Sequence, residues 1–323
     1  GEADDDVPPF NPRGSRYDQS EFLGRYRNFR QVTDPRNLLI SEQELDNAQV
    51  LLAQHTRGEA AGVSDHELWE AKRIKDAIIH PVTGEKMFLP GRMSAFLPMN
   101  AIPTAGMLLA RTPAATIFFQ WMNQTVNTMA NYVNRSGASI DTTQIAQAYA
   151  LGCGVSCGIA VGAGRLVQSG PPWVKRLGVA VPYAAVVASG GVNVAFTRMP
   201  EIHQGAPIAD REGNHLGHSR SAAVTSVAMA IASRSVVLPI APMLFPPLAM
   251  AGLRAMLPSL TGIAAVAAEV ALVASSIYVA LPVAIGAFPQ NIEIPTSALE
   301  PEFHNLKDSN GRPITHIVCN RGL

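Results

Sequence analysis

The chain has 323 residues, equal numbers of acidic and basic side chains, and 47% hydrophobic residues. A net charge of zero argues against a nucleic-acid-binding protein, because such proteins usually carry a basic excess on one face. The charges are unevenly spread, since residues 1–93 hold more than half of them, and this asymmetry indicates a polar arm joined to a membrane-embedded region.

The opening residues are rich in Pro, Asp and Arg and predict an irregular segment. Two capping boxes follow, Ser41 with Glu44 and Ser64 with Glu67, in which each side chain accepts from the backbone N–H of the other residue. Apolar residues recur at helical spacing after each box. The sequence therefore predicts a soluble N-terminal arm, residues 1–93, that contains a small helical hairpin.

The sequence becomes apolar from residue 94, and a helix needs roughly 20 mostly apolar residues to cross a bilayer. Residues 94–290 therefore predict an all-α membrane bundle of about five transmembrane helices. Prolines and glycines break several of them, which a membrane tolerates where a cavity or neighbouring protein satisfies the freed backbone groups. The predicted spans are residues 95–133, 143–164, 174–197, 222–248 and 261–288.

Two polar segments interrupt or follow the spans. The loop between the third and fourth spans predicts a short hairpin around residues 210–214, and residues 291–323 predict a polar C-terminal tail. Within the second span, Gly154, Gly158 and Gly162 recur at steps of four, which is typical of a face where helices pack closely.

A ladder of amides lies within the first predicted span. Its three- and four-residue steps place the amides on one stripe of a helix. An amide buried without a partner costs a few kcal/mol, so the stripe is expected to face protein or water rather than lipid. Two interpretations of the stripe are open: its amides pair with neighbouring helices, or they form the wall of a solute path. The stripe consists of Gln120, Asn123, Gln124, Asn127, Asn131 and Asn134.

Three charged residues lie in or at the ends of the apolar segments. Glu269 and Arg234 stand inside spans, and Arg198 closes the third span. Charges in a bilayer are costly and are functional candidates by default. Glu269 and Arg234 are expected either to pair across two helices or to engage the ammonium or carboxylate of a solute. The candidate substrate-binding residues are Asn100, Asn123, Asn127, Asn193, Arg234 and Glu269.

The sequence carries no catalytic or metal-binding pattern. The 3 cysteines and 8 histidines do not fall at ligand spacing, and no Ser/His/Asp arrangement is legible. The glycine-rich stretch at residues 152–158 resembles a dinucleotide motif only loosely, because no strand precedes it. We therefore expect no metal, no cofactor and no enzymatic activity.

Several long motifs carry a family resemblance. One consists of His80 and Pro81 with Thr83, Gly84 and Glu85. On these motifs the whole chain resembles the sideroflexin family of mitochondrial inner-membrane proteins. Two departures bear on substrate choice: Val82 replaces the family's usual acidic residue, and the sequence around Asn193 is glycine-rich. The other matching segments are residues 17–20, 22–25, 32–37, 91–95, 98–100, 120–124, 131–137, 287–290 and 320–323.

The resemblance implies a five-span protein of the mitochondrial inner membrane, inserted without a cleaved presequence. It also implies amino-acid transport, with serine entry for one-carbon metabolism the best-supported role among the animal members. The expected partners are then a small neutral amino acid and the lipid bilayer, and no nucleic acid.

A structural role is the second hypothesis. The protein would then be an accessory or scaffold subunit of an inner-membrane respiratory complex, with the arm making the contacts. A sealed core with paired amides would favour that role, whereas a polar cavity would favour transport. Citrate transport would require several convergent basic side chains, and an iron carrier would require clustered carboxylate, His or thiolate ligands.

Overall fold

The computed structural model describes residues 7–12, 14–81, 83–134, 142–307 and 311–321, with the side chain of Val179 excepted. Within these ranges the chain forms twelve α-helices and four β-strands. Val82 and parts of two of the matching motifs, residues 135–137 and 322–323, lie outside the described residues.

The N-terminal arm contains the two predicted capping boxes. The N–H of Glu44 donates to Ser41 Oγ at 3.2 Å, and the N–H of Glu67 donates to Ser64 Oγ at 3.3 Å. A cluster of buried apolar side chains holds the two capped helices together, so the predicted helical hairpin is confirmed. The arm helices are α1 (Phe22–Val32), α2 (Glu42–Thr56) and α3 (Asp65–Ile78).

The apolar region forms the membrane part of the molecule. Among the described residues, three helical stretches are long and apolar enough to cross a bilayer: Thr142–Ser169, Arg220–Met256 and Gly262–Gly286. Two shorter apolar stretches, Met93–Leu109 and Val181–Thr197, occupy the first and third predicted spans. The predicted class, a helical membrane protein, is confirmed.

The helices of this region and its connecting loops follow in chain order. They are α4 (Phe96–Leu109), α5 (Pro113–Val133), α6 (Thr142–Ser169), α7 (Pro172–Arg176), α8 (Val181–Thr197), α9 (Met199–Gln204), α10 (Arg220–Ala230), α11 (Ile240–Met256) and α12 (Gly262–Gly286). A π-helical segment, Ile231–Val237, joins α10 to α11.

Prolines mark the helix interruptions in the bundle. Pro113 and Pro182 stand in the first turns of α5 and α8, where a missing N–H leaves no helical hydrogen bond unmade. Pro239 follows the π-helical segment at the start of α11. Other prolines, such as Pro103 and Pro282, lie inside helices that continue past them.

The predicted packing face of α6 is wrong. A Cβ added at Gly154, Gly158 or Gly162 would meet no atom of the described structure within 4 Å. Several sets of small residues recur at steps of four in this helix, and periodicity alone cannot rank them. The buried set is Ala148, Gly152, Ser156 and Ala160.

A four-stranded antiparallel sheet accompanies the bundle in the order β2-β1-β4-β3. Its hairpin turns at Asp210–Gly213, where Gly213 has a φ of +89°, as predicted for this loop. Pairing of β1 with β4 joins the loop to the C-terminal tail, which sequence analysis did not predict. The strands are β1 (Ala206–Ala209), β2 (His215–Ser219), β3 (Asn291–Pro295) and β4 (His316–Asn320).

Glu300 in the tail caps the start of α10. Its carboxylate accepts from Ser219 Oγ at 2.7 Å and from the N–H groups of Arg220 and Ser221 at 2.8 and 2.9 Å. Burial raises the pKa of Glu300, but these hydrogen bonds outweigh it and lower the pKa to about 2. The ionised carboxylate therefore stabilises the junction of tail and bundle.

We expect Glu300→Gln to lower the free energy of unfolding at pH 7 by about 1–3 kcal/mol, because bonds to a charged acceptor are lost. The pKa of Glu300 is lower in the folded protein than in the unfolded chain. Its contribution to stability is therefore present above the unfolded pKa and is lost as the pH falls towards about 2. The difference from wild type, measured by thermal unfolding in detergent, should therefore narrow below about pH 4.5. Glu302→Gln, at an exposed position, is the control; equal losses in both variants would contradict the capping role.

Candidate functional site

A cavity of about 90 Å³ lies inside the helical bundle. It is bounded by α4, α5, α8, the π-helical segment, α11 and α12. Since a cavity of about 150 Å³ can hold benzene, this one suits a solute of few heavy atoms. Five of the six predicted binding residues line it: Asn100, Asn123, Asn127, Asn193 and Arg234.

The amide stripe of α5 turns towards the interior of the bundle. Gln120 and Gln124 are each 1% exposed, and Asn123 is 4% exposed. This burial agrees with the expectation that the stripe avoids lipid.

Part of the stripe joins helices together. Ser156 Oγ of α6 donates to Gln120 Oε1. Gln124 Nε2 donates to Ser189 Oγ of α8 at 2.8 Å. These two contacts satisfy buried amides across helix interfaces, as pairing between helices predicts, and Gln124 also lines the cavity.

Asn123 and Asn127 of the stripe line the cavity, whereas Asn134 does not and donates instead to the main-chain carbonyls of Gly91 and Ala130. Asn127 Nδ2 donates to Asn123 Oδ1 at 3.1 Å, so one bond is made along the helix. Asn131 also lines the cavity. An amide has more donor and acceptor positions than this one bond uses, which leaves polar atoms to meet a solute.

A chain of hydrogen bonds fixes Arg234 at the edge of the cavity. Arg234 Nη2 donates to Asn131 Oδ1. Asn131 Nδ2 donates to Asn193 Oδ1 at 3.2 Å, and Asn193 Nδ2 donates to Thr128 Oγ1 at 3.3 Å. The network links the π-helical segment, α5 and α8, and it holds the guanidinium with neutral partners.

Arg234 lies within the π-helical segment, and such segments are frequent at functional sites. The segment approaches α8 closely, because a Cβ added at Gly190 would lie 2.8 Å from Ser235 Oγ. Gly190 therefore permits a close helix contact beside the cavity. This is a physical reason for the glycine-rich sequence around Asn193.

Glu269 is not among the residues that line the cavity. It stands on α12 eight residues before Ile277, a lining residue, which is about 12 Å along the helix axis. The predicted ion pair with Arg234 does not form in the described part of the chain. Instead, Glu269 lies within electrostatic range of Arg111 and Arg254, so its role in solute binding stays a prediction.

The motif that begins at His80 forms a tight turn outside the cavity. The N–H of His80 donates to the carbonyl of Glu85 at 2.8 Å, and the N–H of Gly84 donates to the carbonyl of His80 at 2.9 Å. Gly84 has a φ of +69°, and the N–H of Thr83 donates to His80 Nδ1 at 3.2 Å. His80 and Pro81 line a separate, larger cleft between the arm and the sheet.

Four polar residues of the cavity were absent from the predicted set of binding residues: Thr104, Gln124, Asn131 and Ser235. Asn131 belongs to the amide stripe, so its four-residue spacing from Asn127 was a usable signal. Ser235 directly follows Arg234, which was a usable signal, whereas Thr104 is a single hydroxyl in apolar sequence and gave none.

The cavity offers a guanidinium, several amides and two hydroxyls, with no carboxylate among its lining residues. Guanidinium groups match the geometry of carboxylates. The lining is therefore suited to a small solute that carries one carboxylate and further hydrogen-bonding groups. Within the described ranges no three His, Cys, Asp or Glu side chains converge as metal ligands.

Comparison with known proteins gives full-length similarities. A family profile described as Sideroflexins matches residues 11–323. A sideroflexin of Schizosaccharomyces pombe is 38% identical over 321 residues, covering 96% of this chain and 98% of the relative. Sideroflexin-1 of Homo sapiens is 36% identical over 325 residues, covering 98% and 99%, and a sideroflexin of Dictyostelium discoideum is 37% identical over 325 residues, covering 98% of each. No solved structure matches the chain.

Proposed function

The chain belongs to the sideroflexin family, and from this premise and the cavity we propose that it carries serine or another small neutral amino acid across the mitochondrial inner membrane. Transport of serine would supply one-carbon metabolism. The observation that supports this most is the polar cavity inside an apolar bundle, with Arg234 at its edge.

Arg234 receives the carboxylate of the amino acid. In the described structure its side chain donates to a neutral amide, Asn131, so the guanidinium keeps donors for an anionic group. Charge-assisted hydrogen bonds of this kind are about twice as strong as neutral ones. The carboxylate is therefore the group that fixes the orientation of the solute.

The ammonium and the side-chain hydroxyl of the solute meet neutral oxygen atoms. Amide oxygens of the cavity and the hydroxyls of Thr104 and Ser235 can accept from them. A site without a carboxylate binds an ammonium less tightly than an ion pair would, which suits a carrier that must release its solute. The cavity of about 90 Å³ favours the smallest amino acids over those with large side chains.

An accessory or scaffold role is the second proposal. A cleft of about 1440 Å³ lies between the arm and the sheet, and it offers a surface for an inner-membrane protein complex. The paired amides Gln120 and Gln124 also stabilise the bundle without any solute. Transport and scaffolding are separable, because the cavity and the cleft have different lining residues.

Uptake of radiolabelled serine by proteoliposomes tests the transport proposal. We expect saturable uptake above empty vesicles, competed by alanine, glycine or cysteine and not by bulky amino acids. In Glu269→Gln the serine concentration for half-maximal uptake should stay within about threefold of wild type, because Glu269 lies outside the cavity lining. Absence of uptake of all four amino acids would refute transport, and a tenfold or larger change in Glu269→Gln would place that residue in the binding path.

A further inference from the structure

The C-terminal strand delivers a buried arginine to the junction of sheet and bundle. Arg321 directly follows β4 and is 1% exposed. Its N–H donates to the carbonyl of Gln290 at 2.7 Å, and its own carbonyl accepts from Arg198 Nη1 at 2.5 Å. Ser226 Oγ of α10 donates to the same carbonyl at 3.4 Å. The backbone of Arg321 is thus clamped, so its side chain has a fixed place.

The guanidinium of Arg321 is poorly satisfied. Nη2 donates to the carbonyl of Ile285 at 3.4 Å, and the group lies 5.9 Å from the centre of the Phe288 ring. Nε and Nη1 are buried without a hydrogen-bond partner, as is Oε1 of the adjacent Gln290. In the described part of the chain no carboxylate pairs with this guanidinium. A buried charge without a partner is strongly unfavourable.

Burial lowers the pKa of Arg321 to about 10, and repulsion from Arg25 contributes. This value is well above neutral pH, so loss of the proton does not remove the problem. The arginine stays charged in the folded protein, and something else must compensate it.

The neighbouring charges are also positive. Arg25 donates to the main-chain carbonyls of Gly286, Gln19 and Ser20, all of them neutral. Arg198 and Arg321 lie within electrostatic range of Arg234. Of these four arginines, within the described residues, Arg198 alone has a carboxylate partner, Glu201. The region therefore has an excess of buried positive charge.

We propose that a small monovalent anion, chloride or a carboxylate, binds against the guanidinium of Arg321. It would accept from the unpaired Nε or Nη1 donors and offset the charge of the arginine cluster. Gln290 and Asn320, the neighbours of Arg321, line the cleft of about 1440 Å³, so the water-filled cleft comes within one residue of the site. The site lies outside the transport cavity and goes beyond the proposed function.

Thermal unfolding of the purified full chain in detergent tests the site. Chloride or acetate replaces isethionate, a bulkier sulfonate without a carboxylate group, at constant ionic strength, and intrinsic tryptophan fluorescence reports the midpoint. We expect a saturable rise of about 4 °C in wild type. The rise should be absent in Arg321→Gln and retained in Arg211→Gln, which removes an exposed arginine of the sheet region paired with Glu293.

The two anions distinguish a site for halide from a site for carboxylate. A rise with chloride alone indicates a halide site, and a rise with acetate indicates a carboxylate site. If the wild-type unfolding midpoint depends on neither anion, the space beside Arg321 holds only water and the proposal is overturned. An equal rise of the unfolding midpoint in Arg321→Gln and wild type also overturns it. If that variant does not fold, equilibrium dialysis of wild type with ³⁶Cl⁻ decides: about one displaceable chloride per chain is expected, and none refutes a halide site. No serine is used, so failure here leaves the transport proposal standing.

Discussion

Replacing Arg234 by glutamine should reduce serine uptake at least about 30-fold, equivalent to about 2 kcal/mol. The variant removes the positive charge of the cavity, and removing one partner of a buried charge pair costs about 2–5 kcal/mol. Arg234→Lys should recover part of the uptake, because the charge returns without the planar fork. The measurement is initial uptake into proteoliposomes over a range of serine concentrations.

The matched control for this experiment is Arg254→Gln, which removes an exposed arginine near the end of α11. It should transport like wild type. Thermal unfolding of Arg234→Gln, compared with wild type, separates lost recognition from lost folding, since Asn131 also loses its partner. Wild-type uptake by a folded Arg234→Gln protein would remove Arg234 from the mechanism.

Gly24→Ala should detach the N-terminal arm from the bundle. The added methyl group would lie 1.8 Å from the main-chain oxygen of Asp18, a contact that no side-chain rotation relieves. The turn before α1 would have to move, and Arg25 would then lose the carbonyls of Gln19 and Ser20. We expect a loss of about 3 kcal/mol in unfolding free energy and faster tryptic cleavage of α1.

Gly154→Ala is the control for the glycine substitution, because its Cβ would meet no atom of the described structure within 4 Å. A helical Gly→Ala change in open space should alter stability by no more than about 1 kcal/mol, in the stabilising direction. If Gly24→Ala keeps the wild-type unfolding midpoint and tryptic pattern, the contact with Asp18 is relieved by a local shift and the arm does not depend on it.

Local features of the chain were predictable from sequence. The capping boxes at Ser41 and Ser64, the hairpin at residues 210–214 and the inward stripe of α5 were all predicted correctly. In each, the residues that interact lie within four positions of one another or share one helix period. The apolar segments also indicated a membrane bundle, because their length and composition are themselves the physical cause of membrane insertion.

Contacts between distant segments were decided by tertiary structure. The pairing of β1 with β4, the capping of α10 by Glu300 and the separation of Glu269 from the cavity were not predicted. Glu300 and Arg220 are 80 residues apart, and no local pattern marks such a pair. In α6, sets of small residues recur at the same spacing on different faces, so periodicity could not show which face is buried. Sequence therefore determined the class and local elements of this protein, and packing decided which polar groups meet.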